Sequence, residues 1–140
     1  MCSDCKPDCK DKIIKVSENK SSFVIDNSAR TSIEVVKVDG CKITSGIRCD
    51  WLFIDNDTKK ETFVELKGSC IEHGFNQIRE TIKVLSKYDK EKNGVIVCTR
   101  CPLNDTQIQR LKIKARHAKF KLKIQSRSFK CHAGDFISAS

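Results

Sequence analysis

The amino-acid sequence predicts a single α/β domain with a central mixed β-sheet flanked by helices, and three observations carry that prediction. The chain has 140 residues, enough for one genuine core and too few for two. Up to residue 67 its apolar residues fall mostly in short β-branched runs, after which helical and extended patterns alternate. Gly94-Val95-Ile96-Val97-Cys98-Thr99 is apolar without alternation, as expected of a parallel strand buried on both faces. Strands, helix, strand, helix, strand in that order pack most economically as a mixed sheet with helices on both sides.

Residues 1–20 read as a cysteine-bearing N-terminal segment, in which Lys10 to Asn19, with Ile13, Ile14 and Val16, is expected to form a short helix. Residues 21–130 carry the domain, and 131–140 a C-terminal tail. Residues 22–26 and 32–38 are rich in β-branched types and read as strands, with Val38-Asp39-Gly40 marking a turn. Two further strands are expected at 49–55 and 61–67, joined by the polar turn Asn56-Asp57-Thr58-Lys59.

Ser69 and Glu72 have capping-box spacing, so a helix should begin directly after Lys67. Its residues Phe75, Ile78, Ile82 and Leu85 recur at threes and fours on one buried stripe, with His73, Gln77 and Glu80 on the opposite side. Asn104 and Gln107 repeat the capping pattern before a helix striped by Ile108, Leu111, Ala115 and Ala118. Phe120, Leu122 and Ile124 alternate with Lys121, Lys123 and Gln125 in a last, half-exposed strand.

The chemistry is concentrated in the paired strands 49–55 and 61–67. Glu65 and Lys67 lie two apart on a strand and therefore share a face. A tight hairpin centred between Asp57 and Thr58 sets Asp50 opposite Glu65, with β-carbons roughly 5 Å apart. Charges set among Trp51-Leu52-Phe53-Ile54 and Phe63-Val64-Leu66 need a reason. Two converging carboxylates repel unless a hard cation lies between them, and Mg2+ takes such oxygen ligands together with water and a substrate phosphate. The carbonyl of Leu66 is a further candidate donor. Lys67 is then placed to orient or deprotonate an attacking water and to stabilise the charge of a displaced phosphodiester. The bland alternative is a solvated cross-strand charge pattern.

With Asp50, Glu65-Leu66-Lys67, the helix after them and the next buried strand in this order, residues 31–126 resemble the PD-(D/E)XK nuclease superfamily. The resemblance implies the restriction endonuclease-like fold and a Mg2+-dependent enzyme, with Mn2+ able to substitute, that hydrolyses DNA phosphodiester bonds. It matches Asp50 and Glu65 to the metal ligands and Lys67 to the catalytic lysine. It also matches Gln77 to a glutamine that touches the site or the nucleic-acid backbone, and Gly46 to a segment that often contains glycine. Cys49 stands where proline is usual. A third carboxylate, often from the first helix, is sought at Glu18 and next at Glu34. The implied role is restriction, defence or repair. A Holliday-junction-type resolvase is the alternative within the fold, and a non-catalytic nucleic-acid-binding or metal-stapled adaptor is the alternative from another class.

The formal charge of +9 favours a polyanionic partner. Arg110, Lys112, Lys114, Arg116, Lys119, Lys121 and Lys123 belong to a run that continues to Lys130 without an acidic residue, a candidate phosphate-binding surface that carries no sequence specificity. Two sites acting on two strands suggest a homodimer. Cys2, Cys5 and Cys9 have ligand-like spacing and, with Cys131 or its neighbour His132, are candidates for a structural Zn2+. By analogy with some members of the superfamily, an iron–sulfur cluster is the other candidate. Cys41, Cys49, Cys70 and Cys98 read as small buried hydrophobes. With no apolar run long enough to span a bilayer and no apolar signal region at the start, a cytoplasmic protein without disulfides is expected.

Overall fold

The computed structural model describes residues 5–18, 20–40, 46, 48–67, 71–100 and 104–133, with Lys67 described in its backbone alone. Its elements, in chain order, are β1 (Lys6–Cys9), β2 (Ile13–Glu18), β3 (Ser21–Asp26), β4 (Ile33–Lys37), β5 (Trp51–Asp55), β6 (Glu61–Lys67), α1 (Ile71–Leu85), β7 (Lys92–Cys98), α2 (Asp105–His117), β8 (Phe120–Ser126) and β9 (Ser128–His132). They make a six-stranded sheet ordered β1-β4-β5-β6-β7-β8 and a three-stranded sheet ordered β2-β3-β9.

The large sheet is mixed, as expected. Strands β1, β4, β5 and β6 pair antiparallel, while β6, β7 and β8 pair parallel, with α1 and α2 as the two crossovers. The hairpin register follows the sequence reading: Ile54 faces Glu61 and Trp51 faces Val64, so the turn is centred between Asp57 and Thr58. Asp55 Oδ1 accepts the amides of Asp57 at 2.8 Å and Thr58 at 3.2 Å, and Lys59 takes the left-handed conformation, with φ 63°, that returns the chain. In α2 the capping box is complete: Asn104 Oδ1 accepts the Gln107 amide, and Gln107 Oε1 accepts the Asn104 amide. Ser69 lies outside the described residues.

Three expectations are corrected. Residues 13–18 are a strand, because Ile14 and Val16 alternate inward with exposed neighbours and period two prevails over a weak helical reading. The segment expected to precede the domain contributes β1 to the large sheet and β2 to the small one, and β9 runs on from the expected domain into the expected tail as far as His132. The helices also do not flank both faces. Phe75 and Ile78 of α1 and Leu111 and Ala115 of α2 share one core with Leu52, Ile54, Phe63, Ile96, Phe120 and Leu122. The opposite face, with Val35, Phe53, Val64, Leu66, Val95 and Val97, packs on Ile14, Val16, Phe23, Ile25, Phe129 and Cys131 of the small sheet. Phe23 bridges the sheets, 5.1 Å from the Phe53 ring and 5.7 Å from the Phe129 ring, centroid to centroid. No helix among the described residues is long and apolar enough to cross a membrane.

Candidate active site

Alternation along β6 puts Phe63 on the helix-covered face, and Glu65 with it, while Val64 and Leu66 face the small sheet. Glu65 is fully buried. It lies beneath the start of α1, where Gly74 makes room: a β-carbon at Gly74 would stand 3.4 Å from both Glu65 Cγ and Ile96 Cδ1.

Asp50 lies one step beyond the pair Trp51–Val64, where the β5–β6 register ends. Its amide donates to the Val64 carbonyl at 3.1 Å. Its carboxylate Oδ2 accepts the Leu66 amide at 2.8 Å, so a side chain takes a place that a backbone carbonyl fills in a regular ladder. Asp50 is 3% exposed. Burial pushes the neighbouring Cys49 thiol well above its ordinary value, and the Glu65 and Asp50 charges act in the same direction. Two buried acidic residues thus stand at the junction of β5 and β6. The donor set fits a hard divalent cation, being all oxygen and carrying two like charges. Among the described residues no group of three or more His, Cys, Asp or Glu forms a metal cluster.

Helix α1 grips the segment that leads into Asp50. Gln77 Nε2 donates to the Arg48 carbonyl at 3.0 Å, and the Cys49 amide donates to Thr81 Oγ1 at 2.8 Å. The Thr81 hydroxyl donates in turn to the Gln77 carbonyl at 2.7 Å. Gln77 was expected on the polar side of α1; it is buried, because residues 48–49 cross the helix at that point. Thr81, fully buried, was missed by the sequence reading. The available signal was a hydroxyl one turn after Gln77, flanked by the apolar positions Ile78 and Ile82.

The third-carboxylate candidates do not join this pair. Glu18 is exposed at the end of β2, on a sheet that packs against the opposite face from Glu65. Glu34 pairs with Ile54, four residues along β5 from Asp50, roughly 13 Å away. Of the terminal cysteines, Cys9 and Cys131 are buried in the core between the sheets and Cys5 packs on the helix side, so these three do not converge. Cys2 lies outside the described residues. Cys98 is buried as expected but is disulfide-bonded, to a partner outside the described residues.

The basic run divides in two. Lys112 and Arg116 of α2, with Lys119, Lys121 and Lys123 at the outer strand β8, line a cleft of about 940 Å³ that also takes in Phe129 and the acidic Asp89 and Glu91. Arg110 and Lys114 are exposed on α2 outside it. Burial, then the nearby Lys121 and Lys112, hold the Lys123 ammonium below the usual lysine range. Within 4 Å none of these five makes an ion pair with a described residue. Glu65, Ile96 and Ile124 are in register across β6, β7 and β8, so the cleft's strand runs about 10 Å to the side of the carboxylate pair.

No family model, no curated protein and no solved structure matches this chain.

Proposed function

We propose that the protein is a metal-dependent nuclease of the PD-(D/E)XK type, with the restriction endonuclease-like fold, that hydrolyses DNA phosphodiester bonds. The observation that carries the reading is the burial of two acidic residues, Asp50 and Glu65, at the junction of β5 and β6, with Lys67 two positions along β6. An antiparallel hairpin that leads through α1 into a parallel strand agrees with the sequence resemblance.

Asp50 and Glu65 would hold Mg2+, or Mn2+ in its place. When bound, the cation supplies Lewis-acid stabilisation of the phosphodiester and lowers the pKa of water. Lys67 assists the attacking water and offsets the negative charge that builds up as the bond breaks. The Leu66 amide fixes one Asp50 oxygen. The cleft along β8 holds backbone phosphates in a sequence-independent manner, which anchors the strand to the side of the scissile position. A homodimer would bring two such sites to a duplex.

Cleavage of supercoiled plasmid and of a four-way junction with Mg2+ tests the reading, with Lys67→Ala and Asp50→Ala in parallel. Cutting that both substitutions abolish is expected. Preference for the junction would make the enzyme a resolvase. DNA binding without cutting in Mg2+ or Mn2+ would make the protein a binding module.

A further inference from the structure

Three backbone positions in a row, Arg48, Cys49 and Asp50, are held from two directions. From the sheet, Val38 donates to the Asp50 carbonyl at 2.9 Å, and the Asp50 amide donates to Val64. From the helix layer come the Thr81 and Gln77 side chains, one helical turn apart on α1. The paired register of β4 with β5 ends at Lys37–Trp51, so the Cys49 amide lies past the ladder in a buried position. Thr81 Oγ1 accepts it, and the hydroxyl's own proton goes to the Gln77 carbonyl. The chain therefore enters Asp50 along a path set by α1 as well as by β6. The same helix covers Glu65 at Gly74.

We infer that Thr81 is a positioning residue for the proposed metal site: through the Cys49 amide its hydroxyl sets the place of the Asp50 carboxylate relative to Glu65, and Gln77 does the same through Arg48. The inference rests on the nuclease reading and adds to it that α1 shapes the ligand pair from behind. Groups that orient metal ligands without touching the metal commonly change affinity by roughly 10- to 100-fold when removed. Thr81→Val keeps the shape of the side chain and leaves the Cys49 amide without its acceptor.

Mn2+ affinity of the whole purified chain, measured by titration calorimetry, tests this without reference to cleavage. Thr81→Val is expected to weaken Mn2+ binding roughly 10-fold or more, Gln77→Met to weaken it in the same direction, and Thr81→Ser to stay near wild type because the hydroxyl is retained. Ile25→Val, in the remote core between the sheets, is expected to lower the melting temperature without changing Mn2+ affinity. If Thr81→Val fails to fold, Gln77→Met decides the matter. Wild-type affinity in a folded Thr81→Val or Gln77→Met, or equal weakening by Ile25→Val, would overturn the positioning role and leave the metal site standing. A folded wild type that binds no Mn2+ would overturn the metal site, and the positioning role with it.

Discussion

The Leu66 amide donates to Asp50 Oδ2 across 2.8 Å, so the strand that carries Glu65 also holds the Asp50 carboxylate with its backbone. Asp50→Asn preserves an acceptor for that amide, whereas Asp50→Ala leaves a buried N–H unpaired at a cost of about 1–3 kcal/mol. Both substitutions should reduce cleavage at least about 100-fold, the order expected when an electrostatic contribution to catalysis is removed. Asp50→Ala alone should also lower the melting temperature appreciably. Thermal denaturation beside a plasmid assay separates the effects. Wild-type cleavage by Asp50→Asn would remove Asp50 from the site.

At β8, Lys123 loses its proton at lower pH than an ordinary lysine because burial and two neighbouring ammonium groups disfavour its charge. DNA binding should therefore weaken as pH rises towards 10.5, before exposed lysines titrate. In the free protein the sign is opposite. A lysine whose folded pKa is depressed opposes folding while charged, so that opposition fades as pH rises through the folded pKa. Lys123→Ala should flatten the alkaline loss of binding and reduce the slope of log affinity against log salt by about 1. Fluorescence anisotropy across pH and salt reads both.

Gly94 lies in β7 beside Ile78 of α1 and Phe120 of β8. A β-carbon there would stand 2.9 Å from Phe120 Cε2 and 3.0 Å from Ile78 Cγ2. Gly94→Ala should cost about 1–3 kcal/mol through overpacking, read as a lower urea midpoint with an unchanged m-value. A midpoint equal to wild type would show that the Phe120 ring swings aside freely.

Glu61 is buried and closes the far end of α1, accepting the Ser86 hydroxyl at 2.6 Å and the Lys87 amide at 3.0 Å. Glu61→Ala removes both acceptors at once, and about 1–3 kcal/mol of destabilisation is expected from the unpaired donors. Hydrogen exchange should speed up around Lys87 and remain slow in β5. Uniform acceleration throughout the chain would instead point to global unfolding.

Burial pushes the Cys131 thiol up to about 12 and raises that of Cys49. Thiolate is the reactive form. Neither residue should be alkylated by iodoacetamide at pH 8 until denaturant opens the fold, which peptide mass spectrometry can follow. Rapid modification of native Cys49 would mean that the segment before Asp50 opens readily.

What was legible in the sequence was local. The β5–β6 register followed from the Asn56–Lys59 turn and the apolar runs beside it, and α2 from Asn104 with Gln107. Strands β1 and β9 were lost because short segments gain their structure from distant partners, β1 from β4 and β9 from β3 in parallel, while β2, which pairs with the adjacent β3, was lost to a weak helical reading. The placement of both helices on one face depended on the small sheet claiming the other. At the site, Asp50 and Glu65 were visible because charges interrupt apolar strands. Thr81 was hidden because its partner, the Cys49 amide, carries no sequence signature.

The pairing of β3 with β9 joins Ser22 to Ser128, 106 positions later in the chain. A growing polypeptide can begin the α1-covered half of the large sheet before β9 has emerged from the ribosome, but the layer between Phe23, Phe53 and Phe129 closes only once β9 is available. Until then Phe53, Val64 and Leu66 lack Phe129 and Cys131 as cover. The back of the hairpin that follows Asp50 and bears Glu65 thus keeps part of its apolar surface uncovered until β9 pairs with β3.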